Sequence, residues 1–251
     1  LYYGVKPCDA KTKKLLGCTF LSDPVDPYYQ ERHLNSIVIS KACDHYESYC
    51  FCDQIGDSPG KLNGADGILY TLPDGYHLLV NHHWLAEQLQ LFGVVFNDIE
   101  NESANFHRGN LATRPFEPLP IDILREQGLL TSLKMELWEE ISATCLGCGI
   151  CTFLCPACYC FDIQDIAYGR VGKRDRTYDS CMFTLYSSEA SGHNPRPSIK
   201  ERWRQRLLHK FTYYPKQHGE IGCTGCGRCS KACPSKIDIR EVIRHAAKFC
   251  K

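Results

Sequence analysis

Two stretches decide the fold: CLGCGICTFLCP (Cys145–Pro156) and CTGCGRCSKACP (Cys223–Pro234). Each reads Cys-x2-Cys-x2-Cys-x3-Cys-Pro, with Gly between the first two cysteines and Gly directly after the second. Three thiolates two residues apart on a tight loop can each reach a different iron of one cubane, and glycines let backbone amides approach the sulfides. In paired runs of this kind the fourth Cys, followed by Pro, ligates the other cluster. The spacing therefore predicts two [4Fe–4S] clusters with crossed ligation. One is held by Cys145, Cys148, Cys151 and Cys233, the other by Cys223, Cys226, Cys229 and Cys155. A structural zinc site wants four tetrahedral ligands, usually as two separated pairs, and would leave half of each run unused.

Residues 157–222 separate the runs, and helical signals flank both. Leu133, Leu137, Trp138 and Ile141 share a helical face just before the first run. Ser198-Ile-Lys-Glu201 is a capping box followed by Trp203, Leu207, Leu208 and Phe211 at helical spacing. Asp238 is placed to cap a last helix with the stripe Ile239, Val242, Ile243 and Ala246. Helices bringing distant runs together resemble the α-helical ferredoxin arrangement of succinate dehydrogenase iron–sulfur subunits and heterodisulfide reductase C subunits, which implies a helical second half.

The first hundred residues read differently. Leu34–Ile39, Gly67–Leu72, Tyr76–Val80 and Gly93–Phe96 are short β-branched or aromatic runs, and Asp74-Gly75 is a hairpin signal. Ser58-Pro59-Gly60 and Asn63-Gly64 mark turns. Composition turns polar from Asn101 to Pro120, with Pro115, Pro118 and Pro120. The expectation is an α+β chain: a mixed, strand-rich domain over residues 1–110, then an α-helical ferredoxin-like dicluster domain over residues 111–251.

Seventeen cysteines need a chemistry. The opening LYYGVKPCDA shows no charged and then apolar leader, so reduced thiols in a cytoplasmic chain are expected rather than disulfides. Leu at position 1 suggests part of a longer chain. No apolar run approaches the roughly 18 residues of a membrane span. With 29 Lys and Arg against 29 Asp and Glu, net charge gives no argument for nucleic-acid binding. Arg196 to Lys216 carries seven basic residues against one Glu. It reads as a solvated helix face, with docking to an acidic partner as the alternative. No G-x-G-x-x-G loop follows a strand, no phosphate loop is present, and no nucleophile–base pair is recognisable. His82-His83 precede a helix-like segment as neighbours that point apart, and His193 reads as a loop donor. These features describe a relay, not a site of bond-making.

The segments VKPCD (Val5–Asp9), DPYYQERHLNSIVIS (Asp26–Ser40), ESYCFC (Glu47–Cys52), CPACYCFD (Cys155–Asp162), YDSCMF (Tyr178–Phe183), SGHNPRP (Ser191–Pro197) and IGCTGCGRC (Ile221–Cys229) resemble an iron–sulfur subunit family. It contains the anaerobic sulfite reductase A subunit, the β subunit of cytoplasmic sulfhydrogenase-type [NiFe] hydrogenases and the iron–sulfur subunit beside flavin oxidoreductases coupled to heterodisulfide reductase. The resemblance implies a non-catalytic subunit relaying electrons between a flavoprotein, with FAD and a nicotinamide nucleotide, and a catalytic or further redox subunit. It leaves the branch open. A stand-alone enzyme with chemistry at a cluster and a structural iron–sulfur scaffold are the competing functions.

Nine cysteines lie outside the runs. Cys8, Cys43, Cys50 and Cys52 are candidate ligands of a third [4Fe–4S] cluster, with zinc or plain buried thiols as alternatives. Cys50-Phe-Cys52 on an extended segment would aim both thiols to one side. Cys158, Cys160 and Cys181 are either packing residues or groups that tune cluster potential. Cys18 and Cys250 have no motif around them.

Overall fold

A computed structural model describes residues 1–95, 117–126 and 136–249. The chain divides into two compact units: Leu1–Pro118 with Thr224–Cys226, and Leu119–Cys223 with Gly227–Lys251. The expected 110/111 boundary lies outside the described residues, as do Leu133 and Cys250.

The first unit is built on a sheet of β1 (Tyr2–Val5), β2 (Val38–Lys41), β3 (Gly67–Leu72) and β4 (Gly75–Val80), in that order. The first two pairings are parallel and the last antiparallel. A parallel pair needs a long crossover, and α1 (Pro7–Phe20) and α2 (Pro27–Leu34) supply it between β1 and β2. Both helices start with Pro where an amide would be unsatisfied anyway, and the Asp26 side chain accepts from Tyr29 N to cap α2. Ala10 of α1 packs on Val38 and Ala65, while Ala42, Ile68 and Tyr70 form a second apolar cluster. The buried Lys11–Asp57 ion pair at 2.9 Å ties α1 to the loop ahead of β3.

Some expectations shift. The run from Leu34 is not a strand from its start, because α2 extends to Leu34 and β2 begins at Val38. Leu72 pairs with Gly75, so the hairpin turns on Pro73-Asp74 and Gly75, at φ 137°, already belongs to β4. Gly93–Val95 form no strand and follow α3 (His83–Leu91). Asn63 and Gly64 do turn with positive φ, at 27° and 79°.

In the second unit, α4 (Ile121–Glu126), α5 (Leu137–Thr144), α7 (Ile199–Leu208) and α10 (Ile239–Lys248) surround a core that includes Trp138, Leu207, Phe211 and Ile243, each fully buried. The capping box forms at α7, where Ser198 N donates to Glu201 Oε2 at 3.0 Å. Asp238 caps α10 by accepting from Arg240 N at 2.9 Å. Short helices α6 (Ile150–Phe153) and α9 (Arg228–Lys231) lie inside the two cysteine runs, and α8 (Tyr214–His218) follows a π turn over His209–Tyr213. This half is not purely helical. Phe161–Tyr168 (β5) and Val171–Tyr178 (β6) pair antiparallel around Gly169, whose φ is 61°. Among the described residues no helix is long and apolar enough to cross a membrane.

Candidate metal centres

The two runs fold alike. α5 ends on Cys145, whose N–H donates to Ile141 O at 3.1 Å. Gly147 and Gly149 then take φ of 66° and 74°, and the chain enters α6, which carries Cys151. In the second run Gly225 and Gly227 take 67° and 68° before α9, which carries Cys229. Only glycine adopts this backbone readily. It turns Gly147 N toward Cys145 Sγ at 3.4 Å. At Gly149 a Cβ would meet the Phe183 ring at 2.7 Å.

Within the second unit, Cys145, Cys148, Cys151 and Cys233 line one cavity, walled by Leu146, Ile150, Met182, Trp203 and Ile239. Cys229 also reaches this wall, but Cys155, ten positions along the chain from Cys145, does not. Cys155 instead accepts from Lys210 Nζ at 3.3 Å. Of the remaining expected ligands, Cys223 is buried in the second unit and Cys226 belongs with the first.

In the first unit Cys8, Cys43, Cys50 and Cys52 come together around a cavity of ≈ 210 Å³, which Cys226 also lines. Cys8 stands in the first turn of α1 and Cys43 just beyond β2. Cys50 and Cys52 arrive on a turn, since Cys50 N donates to Glu47 O and Cys52 has helical backbone angles ahead of a 3-10 turn. The expectation of an extended Cys-Phe-Cys segment is therefore replaced by a turn that buries Phe51 completely. Burial pushes the Cys52 thiol up to about 12 and raises Cys43 as well.

No described cysteine is in a disulfide. Among the described residues no three Cys, His, Asp or Glu side chains converge on a point where one ion would sit. A structural zinc would need four ligand atoms about 2.0–2.3 Å from one centre. Soft thiolates suit iron–sulfur clusters, and zinc or Cu(I) as well. A buried nitrogen without a partner, Arg206 Nε, lies on the wall of the Cys145 cavity.

The model of the 4Fe-4S dicluster domain matches residues 144–237, which embrace both runs. Sulfhydrogenase 2 subunit beta of Pyrococcus furiosus is 32% identical over 259 aligned residues, covering 96% of this chain and 72% of the relative. The chain belongs to this family of iron–sulfur subunits. No solved structure matches it significantly.

In this family member three of the seven basic residues of Arg196–Lys216 are not on a solvated face, whereas Lys216 is exposed. Arg202, Arg206 and Lys210 are 5%, 2% and 5% exposed, so the face they share points inward. Arg202 donates to Pro197 O at 2.9 Å and Arg206 to Cys151 O at 2.7 Å. Arg206 also donates to Cys158 Sγ at 3.4 Å, and Lys210 to Gly222 O at 2.8 Å. Reading the sequence missed this. The signal was present, because Arg206 and Lys210 are four apart and interleave with the apolar stripe Trp203, Leu207 and Phe211 at helical spacing.

Cys158, Cys160 and Cys181 line a further cavity with Arg206, His209 and Lys210. The Cys158 thiol is pulled down to about 5 by a hydrogen bond from Cys155 and by the Lys210 and Arg206 cations. The His209 imidazole, buried beside those cations, is pushed down to about 4. His193 is a loop residue whose carbonyl accepts from Glu189 N at 2.8 Å, and His82 caps the helix His83–Leu91.

Proposed function

We propose that this chain is a non-catalytic electron relay, the iron–sulfur subunit of a cytoplasmic, hetero-oligomeric oxidoreductase of the hydrogenase type. It passes electrons between an FAD- and NAD(P)-binding flavoprotein and a catalytic or further redox subunit. Cys145, Cys148, Cys151 and Cys233 hold one [4Fe–4S] cluster, Cys223, Cys226, Cys229 and Cys155 a second, and Cys8, Cys43, Cys50 and Cys52 a third. The observation that supports this reading is the position of Cys233, which with Cys229 lines the cavity of the first run's cysteines. Cys233 stands in the Cys145–Cys148–Cys151 cavity, whereas the nearer Cys155 stays out of it.

Bound there, such clusters supply one-electron transfer at potentials set by charge, hydrogen bonds and exposure. The chain's own residues fix the spacing, wall the thiols with apolar side chains and place charge beside them. A hydrogenase partner is favoured over sulfite or heterodisulfide reductase by the name of the Pyrococcus relative. The third site is supported by four thiols from three segments around a cavity of ≈ 210 Å³.

Anaerobic metal analysis tests the reading. Three cubanes require roughly twelve irons per chain, falling by about four in a Cys50→Ala, Cys52→Ala variant. About eight irons in both proteins would remove the third site, and stoichiometric zinc in place of iron would remove the relay.

A further inference from the structure

We infer that Arg206 and Lys210 are buried counter-charges that raise the reduction potentials of two iron–sulfur sites, Arg206 acting on the Cys145–Cys148–Cys151–Cys233 site and Lys210 on the site that includes Cys155. The inference rests on the cluster assignments proposed above and adds a task for two residues outside them.

A buried cation is costly unless it is paired. Both side chains are almost fully buried, and neither has a carboxylate partner among the described residues. What they touch instead is sulfur and carbonyl oxygen. The Arg206 guanidinium spans Cys151 O at 2.7 Å and Cys158 Sγ at 3.4 Å, leaving Nε without an acceptor. The Lys210 ammonium sits 3.3 Å from Cys155 Sγ and 2.8 Å from Gly222 O. Two carbonyls do not neutralise two full charges. The missing anion would be supplied by thiolates with their bound irons, and although both cations touch the first run, the crossed assignment gives each a different cluster. Arg206 lines the cavity of the first cluster's ligands, whereas Lys210 faces the cysteine that the crossed pairing gives to the second.

The backbone is shaped for this. Lys210 lies in the π turn that interrupts the path from α7 to α8, and such turns often mark functional positions in helices. Cys158, an acceptor for Arg206, remains a neighbouring thiol rather than a ligand in this scheme.

The sign follows from charge alone. Taking up one electron adds one negative charge beside a fixed positive one, so the cation favours the reduced form. Its removal lowers the potential. At an effective dielectric of about 20, a unit charge within several ångströms moves such an equilibrium by about tenfold or more, which is about 59 mV for a one-electron couple.

The experiment is an anaerobic, EPR-monitored redox titration of the full chain and of Arg206→Gln, Lys210→Gln, Arg206→Lys and Lys210→Arg, with iron counted in each. Of the three reduced signals, the two concerned are assigned beforehand with Cys148→Ser and Cys226→Ser, the third being identified with Cys50→Ala. Gln retains a hydrogen-bond donor without the charge. Lys210→Gln is expected to lower the signal that Cys226→Ser abolishes by about tenfold in reduction constant, and Arg206→Gln the one that Cys148→Ser abolishes, while the charge-preserving variants stay near the parent. Unchanged potentials at unchanged iron content would overturn the inference. Iron lost from the Gln variants but kept by Lys210→Arg and Arg206→Lys would support it, as the charge would then be needed to hold the group. Iron lost equally from both kinds of variant would overturn it in favour of packing. A parent chain without iron would instead refute the cluster assignments themselves.

Discussion

Gly225→Ala tests the tightest backbone approach found at the described glycines. Gly225 takes φ of 67°, and its carbonyl accepts from Phe51 N at 2.8 Å. A Cβ there would overlap the Cα and N of Cys52 and lie 2.8 Å from Phe51 C. These are backbone atoms, so no rotamer change relieves the clash. The left-handed conformation costs ~1–2 kcal/mol with a side chain, and forcing packed atoms apart costs a further ~1–3 kcal/mol. The sum is ~2–5 kcal/mol, or about thirtyfold to several thousandfold in the balance between closed and opened loop. Gly192→Ala is the internal control: its φ is 84°, yet nothing stands within 4 Å of the added carbon, so only ~1–2 kcal/mol applies. The assay compares anaerobic denaturation midpoints and iron per chain for both variants. Gly225→Ala should be clearly the less stable and should lose iron, because the displaced segment carries Cys52 and the displacing one leads into Cys226. Equal midpoints and equal iron contents would refute the close-approach argument.

Cys155→Ser should abolish the EPR signal that depends on Cys223 and Cys229 while sparing the one that depends on Cys145; the reverse pattern would break the crossed assignment. Trp138→Ala, at a position with no solvent exposure, should destabilise the second unit by ~3–5 kcal/mol, and a loss under ~1 kcal/mol in denaturant titration would mean that the core lies elsewhere. The Asp238 carboxyl is partly buried, which alone would raise its pKa, but hydrogen bonds and charge from Arg240 hold it below the usual aspartate value. Its folded pKa is depressed, so its contribution is present above about pH 4–5 and is lost as pH falls through the folded value. Amide protection at Arg240 should therefore decline on acidification below about pH 4 in the parent, but stay flat in Asp238→Asn.

The parts of the fold that follow from local chemistry could be read directly. Gly67–Leu72, the Ser198 capping box and the Asp238 cap depend on residues within a few positions of one another, and each lies where the sequence places it. Boundaries set by competition were harder. Asp26-Pro27 starts a helix that takes Leu34 from the strand expected there, and Pro73 rather than Gly75 occupies the hairpin turn. The β5–β6 ribbon went unread because Phe161–Tyr168 carries no regular alternation and is largely exposed, while helical flanks and a helical resemblance pointed the other way. For the sites, spacing pointed to the two runs, and grouping by motif pointed to Cys8, Cys43, Cys50 and Cys52, which do line one cavity. The inward face of Arg202, Arg206 and Lys210 was misread because burial of a cation depends on what lies opposite it, and that partner is distant in sequence.

The cavity shared by Cys145, Cys148, Cys151 and Cys233 also bears on how the chain reaches its folded state. Any group bound to all four thiols closes a loop of about 90 residues, and by the chain-entropy estimate for cross-links such closure disfavours the unfolded ensemble by ~4–5 kcal/mol. That is comparable to the whole stability of many domains. On the assignment proposed above, the first run would offer only three of that cluster's four ligands until the second run has been synthesised, and metal insertion would then be coupled to completion of the helical unit. Iron supply would then set how much folded chain accumulates, and loss of chain to proteolysis would precede any defect in electron flow.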